Sequence, residues 1–197
     1  MSGDARDPGY FDALYAADAD PWRFETSDYE AAKYADTVAA LPRPRYASAV
    51  EFGCSIGVLT EQLAARADAV LGIDVAQAAI DRAAARCAAL PHLRFARMRV
   101  PDDMPKQQFD LIMLSEVLYY FDLPTLERLA ARLSVIAVGG ADLVLVHWLG
   151  PTPDYPLTGD SAVAAFLAAT AGRATVTRQE RRNDYRLDVL RVAPAAR

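Results

Sequence analysis

The residues that most clearly predict a ligand site are two glycines in one turn and a carboxylate that follows them in the chain. Gly53 and Gly57 follow the apolar segment Ala49–Phe52, with Ser55 between them. Glycines let the turn take positive φ and let a ligand approach the backbone, while amides at the start of the next helix face that ligand. Asp74 ends the next apolar segment, where a carboxylate can accept hydrogen bonds from both hydroxyls of a ribose. The pair therefore predicts a nucleoside site.

The spacing of the turn separates two classes of nucleoside site. A dinucleotide site would read G-x-G-x-x-G, and this pyrophosphate fingerprint is absent. The run from Glu51 to Gly57 instead resembles the first motif of class I S-adenosylmethionine-dependent methyltransferases, commonly E-x-G-x-G-x-G, with Ser55 at the central glycine. The resemblance implies S-adenosyl-L-methionine as cofactor and S-adenosyl-L-homocysteine as product. It also implies cofactor contacts at Glu51, Gly53, Cys54 and Gly57.

Length and composition favour one globular domain. The 197 residues suit a single core, and the content of 53% hydrophobic and 24% charged residues is typical of a soluble protein. No apolar stretch approaches the ~20 residues of a membrane span, and residues 1–8 lack the apolar core of a signal peptide. The net charge of -5 argues against nucleic-acid partners. We expect a cytoplasmic enzyme with a small-molecule substrate, and no oligomeric state is predicted.

The cysteines and histidines are too few and too scattered for a metal site. Cys54 and Cys87 have neither CxxC spacing nor a neighbouring histidine set, and His92 and His147 are isolated from each other. We therefore predict no metal and treat both cysteines as buried small residues.

Strand-like and helix-like segments alternate along the chain, which predicts parallel β-α-β units. We expect an α/β fold, Rossmann-like as in class I methyltransferases, with a mostly parallel seven-stranded sheet, helices on both faces and an N-terminal helical lid. The single domain 1–197 would comprise the lid (1–45), a cofactor-binding core (46–150) and a substrate-side loop, helix and C-terminal β-hairpin (151–197). The Gly139-Gly140 pair is expected to close a helix before a strand at 142–147. The other elements are predicted at 9–20, 28–41, 49–53, 57–66, 69–73, 76–89, 93–97, 109–114, 123–137, 175–179 and 185–192.

The segment 109–121 predicts the mouth of the reaction site, because an apolar strand breaks there into Ser115-Glu116. In methyltransferases, residues at this turn lie beside the sulfonium and adenosine, which implies a cofactor contact at Ser115. The aromatics that follow, Tyr119 and Tyr120, either wall the acceptor pocket or pack at the start of a helix.

Three features together resemble one methyltransferase family. The run Glu116-Val-Leu-Tyr-Tyr120, the upstream Asp20-Pro-Trp-Arg23 and the glycine turn are similar to the NodS family of N-methyltransferases. This family modifies the free amino sugar of a lipochitooligosaccharide precursor. The resemblance spans roughly residues 18–147.

The front of the chain is a candidate for closing over the cofactor. Trp22 could cover the ligand, and Lys33 could meet the methionine carboxylate of the cofactor, which requires a cation or amides in a closed pocket. Tyr29 lies on the same helix face, four residues before Lys33. The alternative is that Tyr29 only packs and Lys33 is solvated.

Adenine recognition departs from the family pattern. Arg99 falls where methyltransferases often place an acid, and an arginine cannot accept a hydrogen bond from the adenine amino group. The amide of Val100 and packing by Val75 would then supply more of the recognition, with Asp102 and Asp103 as alternatives.

Methyl transfer from a sulfonium is an in-line displacement, so the enzyme mainly aligns the acceptor within about 3–3.5 Å of the methyl group. Glu116 and His147 are the candidates for proton removal, because both follow strands at the ligand-bearing edge. Glu116 could instead bind a substrate amine, and His147 could be orienting. The predicted substrate-binding residues are Tyr29, Tyr119, Tyr120, Trp148 and Tyr155.

The sequence leaves several functions open. An N-methyltransferase acting on an amino sugar or a similar small polar molecule is the first prediction. A small-molecule O-methyltransferase, a nucleoside-binding protein without turnover and a dinucleotide oxidoreductase are the alternatives.

Overall fold

The computed structural model describes residues 7–194, which form two compact units at 7–99 and 100–194. The first six residues of the predicted lid and the last three of the predicted C-terminal region lie outside the described residues. No helix between residues 7 and 194 is long and apolar enough to cross a membrane.

The first unit begins with two helices and continues with alternating strands and helices. Its three strands are parallel, in the spatial order β3-β2-β1. All four residues of β1 are buried, as expected for a parallel strand covered on both faces. The elements are α1 (Pro8–Ala17), α2 (Asp28–Ala39), β1 (Ala49–Phe52), α3 (Val58–Leu63), β2 (Val70–Asp74), α4 (Gln77–Arg86) and β3 (Leu93–Arg97).

The second unit ends in a hairpin that pairs with an earlier strand. Its spatial strand order is β4-β5-β7-β6, in which β4 and β5 are parallel while β7 is antiparallel to both β5 and β6. A 3-10 turn (Leu118–Tyr120) follows β4. The elements are β4 (Phe109–Ser115), α5 (Leu123–Ile136), β5 (Ala137–Trp148), α6 (Gly159–Ala169), β6 (Ala174–Arg181) and β7 (Tyr185–Val192).

Local capping fixes where the helices around the site begin. The Ser27 side chain accepts a hydrogen bond from the Glu30 amide at the start of α2, and Asp122 does the same for Thr125 in α5. Thr158 forms a capping box at the start of α6. These short polar residues precede the helical segments and mark where each helix begins.

The sequence predicted the seven strands and the antiparallel end, and the structure contains both, so the strand pairing is mixed. The prediction for the Gly139-Gly140 pair was wrong, because α5 ends at Ile136 and β5 starts at Ala137. The pair lies inside β5, where Gly140 has φ +80° and the pairing with β4 shifts register between Phe109 and Leu111. A glycine with positive φ suits a strand irregularity as well as a helix end.

Candidate active site

The turn after β1 has left-handed backbone at three positions, Gly53 (φ +72°), Ser55 (φ +51°) and Gly57 (φ +81°). A Cβ on Gly57 would also lie 2.9 Å from the Cβ of Ala83 in α4, so glycine is required there for space as well as for conformation. Ser55 takes the same kind of conformation with a side chain, which costs about 1–2 kcal/mol. The turn is therefore strained at the position where the methyltransferase motif usually has its central glycine.

Asp74 ends β2 beside this turn, as the sequence predicted. Its Oδ2 accepts a hydrogen bond from the Ser55 amide and its Oδ1 one from the Ala76 amide, both at 2.9 Å. Burial raises the pKa of Asp74, and the hydrogen bonds from backbone amides oppose that rise. A carboxylate accepts about four hydrogen bonds, so this one is held in place with capacity left for a ribose hydroxyl.

Glu51 and Cys54 are buried on either side of Phe52 and Gly53. The Glu51 side chain is 3% exposed and accepts a hydrogen bond from Thr60 Oγ1 at 2.5 Å. Burial raises the pKa of Glu51 to about 8 and also raises the pKa of the Cys54 thiol. The structure thus packs the leading acid of the motif against α3, and its predicted cofactor contact stays a prediction.

The end of α1 reaches the glycine turn through a residue that sequence reasoning missed. The Tyr15 hydroxyl lies 2.5 Å from Ser55 Oγ, and Tyr15 is 3% exposed. Its ring meets Trp22 edge-on with centroids 5.7 Å apart, and Trp22 stacks on Phe24 at 5.6 Å. The available signal was the spacing of Phe11 and Tyr15, four residues apart on one helix face.

Lys33 is buried in α2. Its Nζ lies 3.0 Å from Glu30 Oε1, and its side chain is 2% exposed. The ammonium also lies over the rings of Tyr29 and Tyr34, at 5.2 Å and 5.9 Å from their centroids. The alternative of a solvated Lys33 is therefore wrong, because the aromatic rings and a carboxylate surround it; contacts of Lys33 and Tyr29 with ligands stay predictions.

The residues predicted near adenine lie at and after β3. Arg97 Nε donates to the Val75 carbonyl at 2.8 Å, and the Met98 amide donates to the Asp74 carbonyl at 2.9 Å. Arg99 is exposed at the end of the first unit, and Val100 begins the second. These bonds fix the backbone after Asp74, and the adenine contacts remain predicted.

In the second unit, Glu116 links the ends of two strands. It follows Ser115, the buried last residue of β4, and has φ +54°. Its Oε2 accepts hydrogen bonds from the Tyr119 hydroxyl at 2.9 Å and the Trp148 amide at 2.8 Å. Its own amide donates to the Val146 carbonyl at 2.8 Å. Left-handed backbone on a residue other than glycine is found mostly where surrounding contacts enforce it, often at functional sites.

His147 is fully buried near the end of β5. Its Nε2 lies 3.1 Å from the Leu118 amide, which can only donate, so Nε2 accepts and the proton of the neutral ring lies on Nδ1. The imidazole lone pair is thus engaged by the 3-10 turn. Because Nε2 already accepts this hydrogen bond, the arrangement favours a role for His147 in orienting the 3-10 turn over a role as the base that removes a proton.

Three tyrosines, which we call the tyrosine cluster, gather beside Glu116: Tyr119, Tyr120 and Tyr155. The rings of Tyr119 and Tyr155 stack with their centroids 5.3 Å apart, and the ring centroids of Tyr120 and Tyr155 are 4.6 Å apart. The Leu157 amide donates to the Tyr119 carbonyl at 3.3 Å, which holds the loop after β5 against the 3-10 turn. Burial and the Glu116 carboxylate raise the pKa of Tyr119, so its hydroxyl remains a donor to that carboxylate.

Two glycines make room for Trp148. A Cβ on Gly150 would lie 2.3 Å from the indole, and one on Gly159 would lie 2.0 Å from the Trp148 carbonyl oxygen. These close approaches were not predicted from the sequence. The Trp148 side chain is partly exposed, as is Tyr155.

Among the described residues, no group of three or more His, Cys, Asp or Glu side chains is arranged to hold a metal ion. The predicted absence of a metal stays a prediction.

Comparison with known proteins places these features in a family. The family model described as nodulation protein S (NodS) matches residues 13–144. Nodulation protein S of Bradyrhizobium diazoefficiens is 34% identical over 128 residues, which are 64% of this chain and 61% of that protein. The chain thus spans only about three-fifths of the length of this relative.

Two further comparisons bear on fold and chemistry. A trans-aconitate 2-methyltransferase of Deinococcus radiodurans is 34% identical over 147 residues, covering 73% of this chain and 51% of that protein. The crystal structure of the N-methyltransferase NodS from Bradyrhizobium japonicum, in complex with S-adenosyl-L-homocysteine, matches with a TM-score of 0.82 and 21% identity, over 95% of this chain and 99% of that one. The chain therefore has the Rossmann-like methyltransferase fold and belongs to the nodulation protein S (NodS) family.

Proposed function

We propose that this protein is an S-adenosylmethionine-dependent methyltransferase. The observation that carries the proposal is the Asp74 carboxylate, fixed by the Ser55 and Ala76 amides beside a turn of left-handed residues. A carboxylate at the end of β2 suits the two hydroxyls of a nucleoside ribose, and the absent pyrophosphate fingerprint disfavours a dinucleotide. Membership of the NodS family supports the same cofactor.

We propose an amine as the methyl acceptor, with Glu116 as the residue that binds it. The Glu116 carboxylate is oriented by two donors, and the tyrosine cluster beside it presents aromatic rings. A carboxylate attracts a protonated amine, and aromatic faces favour cations as well as the apolar faces of sugars. The finer proposal, an amino sugar, is supported by the family and by this combination of groups.

The chemical roles follow from what each group can do. When bound, S-adenosylmethionine supplies an electrophilic methyl group. Glu116 orients the acceptor amine and takes the proton that an ammonium must lose before its lone pair can attack. His147 holds the 3-10 turn through the Leu118 amide, so the Tyr119 hydroxyl stays on the Glu116 carboxylate. Alignment of the nucleophile supplies most of the catalysis.

A second candidate is a small-molecule O-methyltransferase. The relative described as trans-aconitate 2-methyltransferase favours it, because that protein covers more of this chain than the nodulation protein does. The candidates differ in their acceptors, so a substrate panel separates them. A non-catalytic nucleoside-binding protein would methylate neither class. A cytoplasmic location remains a prediction.

The test is methyl transfer to a panel of amines and acids, with amino sugars and unsaturated tricarboxylic acids such as trans-aconitate among the acceptors. Release of S-adenosyl-L-homocysteine and product mass are followed together. The proposal expects methylated amines, and Glu116→Gln should raise the KM for the amine and lower the transfer rate while leaving cofactor affinity unchanged. Glu127→Gln, which removes an exposed carboxylate from α5, is the matched control. Methyl esters alone would replace the amine proposal with the second candidate.

A further inference from the structure

Ser55 occupies a backbone conformation that its residue type does not favour. At φ +51° it lies in the left-handed region, where glycine is the usual choice. Within the first unit, the groups that contact Ser55 therefore determine whether the turn keeps this shape. Two of them are side chains from distant parts of the chain, Tyr15 and Asp74.

The two contacts use different groups of the same residue, its side-chain hydroxyl and its backbone amide. The Ser55 Oγ is 2.5 Å from the Tyr15 hydroxyl, and the Ser55 amide donates to Asp74 Oδ2 at 2.9 Å. A rotation of the Ser55 backbone would break both bonds together. The residue thus connects helix α1 to the carboxylate at the end of β2.

Tyr15 is itself held firmly. Its ring packs in an apolar cluster with Ile56, Ala76 and Ala79, and it is 3% exposed. Arg82 donates to the Tyr15 carbonyl at 3.4 Å and to the Ala19 carbonyl at 2.8 Å, which ties the end of α1 to α4. Burial and the Asp74 charge raise the pKa of the Tyr15 hydroxyl, so it stays protonated.

We propose that Tyr15 is a positioning residue for cofactor binding, because its hydroxyl keeps Ser55 in the left-handed conformation from which the Ser55 amide orients Asp74. This inference rests on the proposed function, in which Asp74 binds the ribose of the cofactor. It assigns to the chain a substitute for the central glycine of the motif: a serine that requires a tyrosine from α1.

The test is a double-mutant cycle on the affinity for S-adenosyl-L-homocysteine, measured by calorimetry on the full chain. Tyr15→Phe keeps the packed ring and removes the hydroxyl, and it should weaken binding about fivefold. Ser55→Ala removes the other hydroxyl and should weaken binding by about the same factor. Ser55→Gly tolerates the left-handed backbone without help, so adding Tyr15→Phe to it should change affinity by less than about twofold. Tyr10→Phe on the same helix is the control.

The outcomes separate the inference from the proposed function. A fivefold loss for Tyr15→Phe that vanishes in the Ser55→Gly background supports it. Equal losses in both backgrounds would show that Tyr15 acts independently of Ser55, which overturns it. A lower melting temperature with unchanged affinity would mean that Tyr15 only packs, which also overturns it. If the unaltered protein binds no S-adenosyl-L-homocysteine, the proposed function fails and the inference fails with it.

Discussion

Glu51 should make this protein less stable as the pH rises, which is the opposite of the effect of most carboxylates in folded proteins. Its side chain is 3% exposed, and burial raises its pKa from 4.5 to about 8. Between these values the folded chain keeps a proton that the unfolded chain has lost. The resulting stabilisation is fully present below pH 4.5 and is lost as the pH rises through about 8.

The magnitude follows from the same two values. Each pH unit in that window removes about 1.4 kcal/mol from the free energy of unfolding, or about 5 kcal/mol over the whole window. Glu51→Gln keeps an oxygen that can accept the Thr60 hydrogen bond but has no proton to lose. The variant should therefore gain stability relative to the unaltered protein as the pH rises.

The assay is urea unfolding of both proteins at several pH values between about 5 and about 8. We expect the difference between their unfolding free energies to change by about 4 kcal/mol across this range. Glu127→Gln reports the effect of removing an exposed carboxylate. Parallel stability curves for the unaltered protein and Glu51→Gln would refute the reasoning, because they would mean that Glu51 titrates alike in both states.

Three further substitutions test the site. Asp74→Ala should weaken S-adenosyl-L-homocysteine binding by about 1.5–3 kcal/mol in calorimetry, because it removes charged hydrogen bonds; unchanged affinity would exclude the ribose assignment. His147→Ala should spare cofactor affinity yet lower the transfer rate, since the Leu118 amide loses its acceptor; a loss of cofactor binding would place His147 elsewhere. Gly57→Ala should lower the melting temperature, because its Cβ would lie 2.9 Å from Ala83 in a left-handed turn; an unchanged melting temperature would contradict that crowding.

Features set by local spacing were predictable from the sequence. The glycine turn and Asp74 follow apolar segments whose lengths define parallel strands, and the structure places Asp74 at the end of β2 beside that turn. Most strand and helix positions follow for the same reason. The Gly139-Gly140 pair was wrongly predicted to end a helix, because a glycine with positive φ occurs both at helix ends and at strand irregularities. Only the pairing with β4 distinguishes the two cases.

Features that depend on tertiary contacts were not predictable. Tyr15 and Ser55 are 40 residues apart, and no periodicity indicates that their hydroxyl groups meet. The same applies to His147, whose residue type suits a base but whose Nε2 accepts the Leu118 amide 29 residues away. The sequence leaves open whether Lys33 meets the cofactor carboxylate or is solvated, and only the structure shows that packing against Glu30 and aromatic rings buries it.

The most direct test of the central claim is calorimetry of the purified chain with S-adenosyl-L-methionine, S-adenosyl-L-homocysteine and NADH. We expect micromolar binding of the first two and none of NADH, because the site has a ribose carboxylate without a pyrophosphate turn. Tighter binding of NADH, or no binding by a folded protein, would contradict the assignment of a methyltransferase.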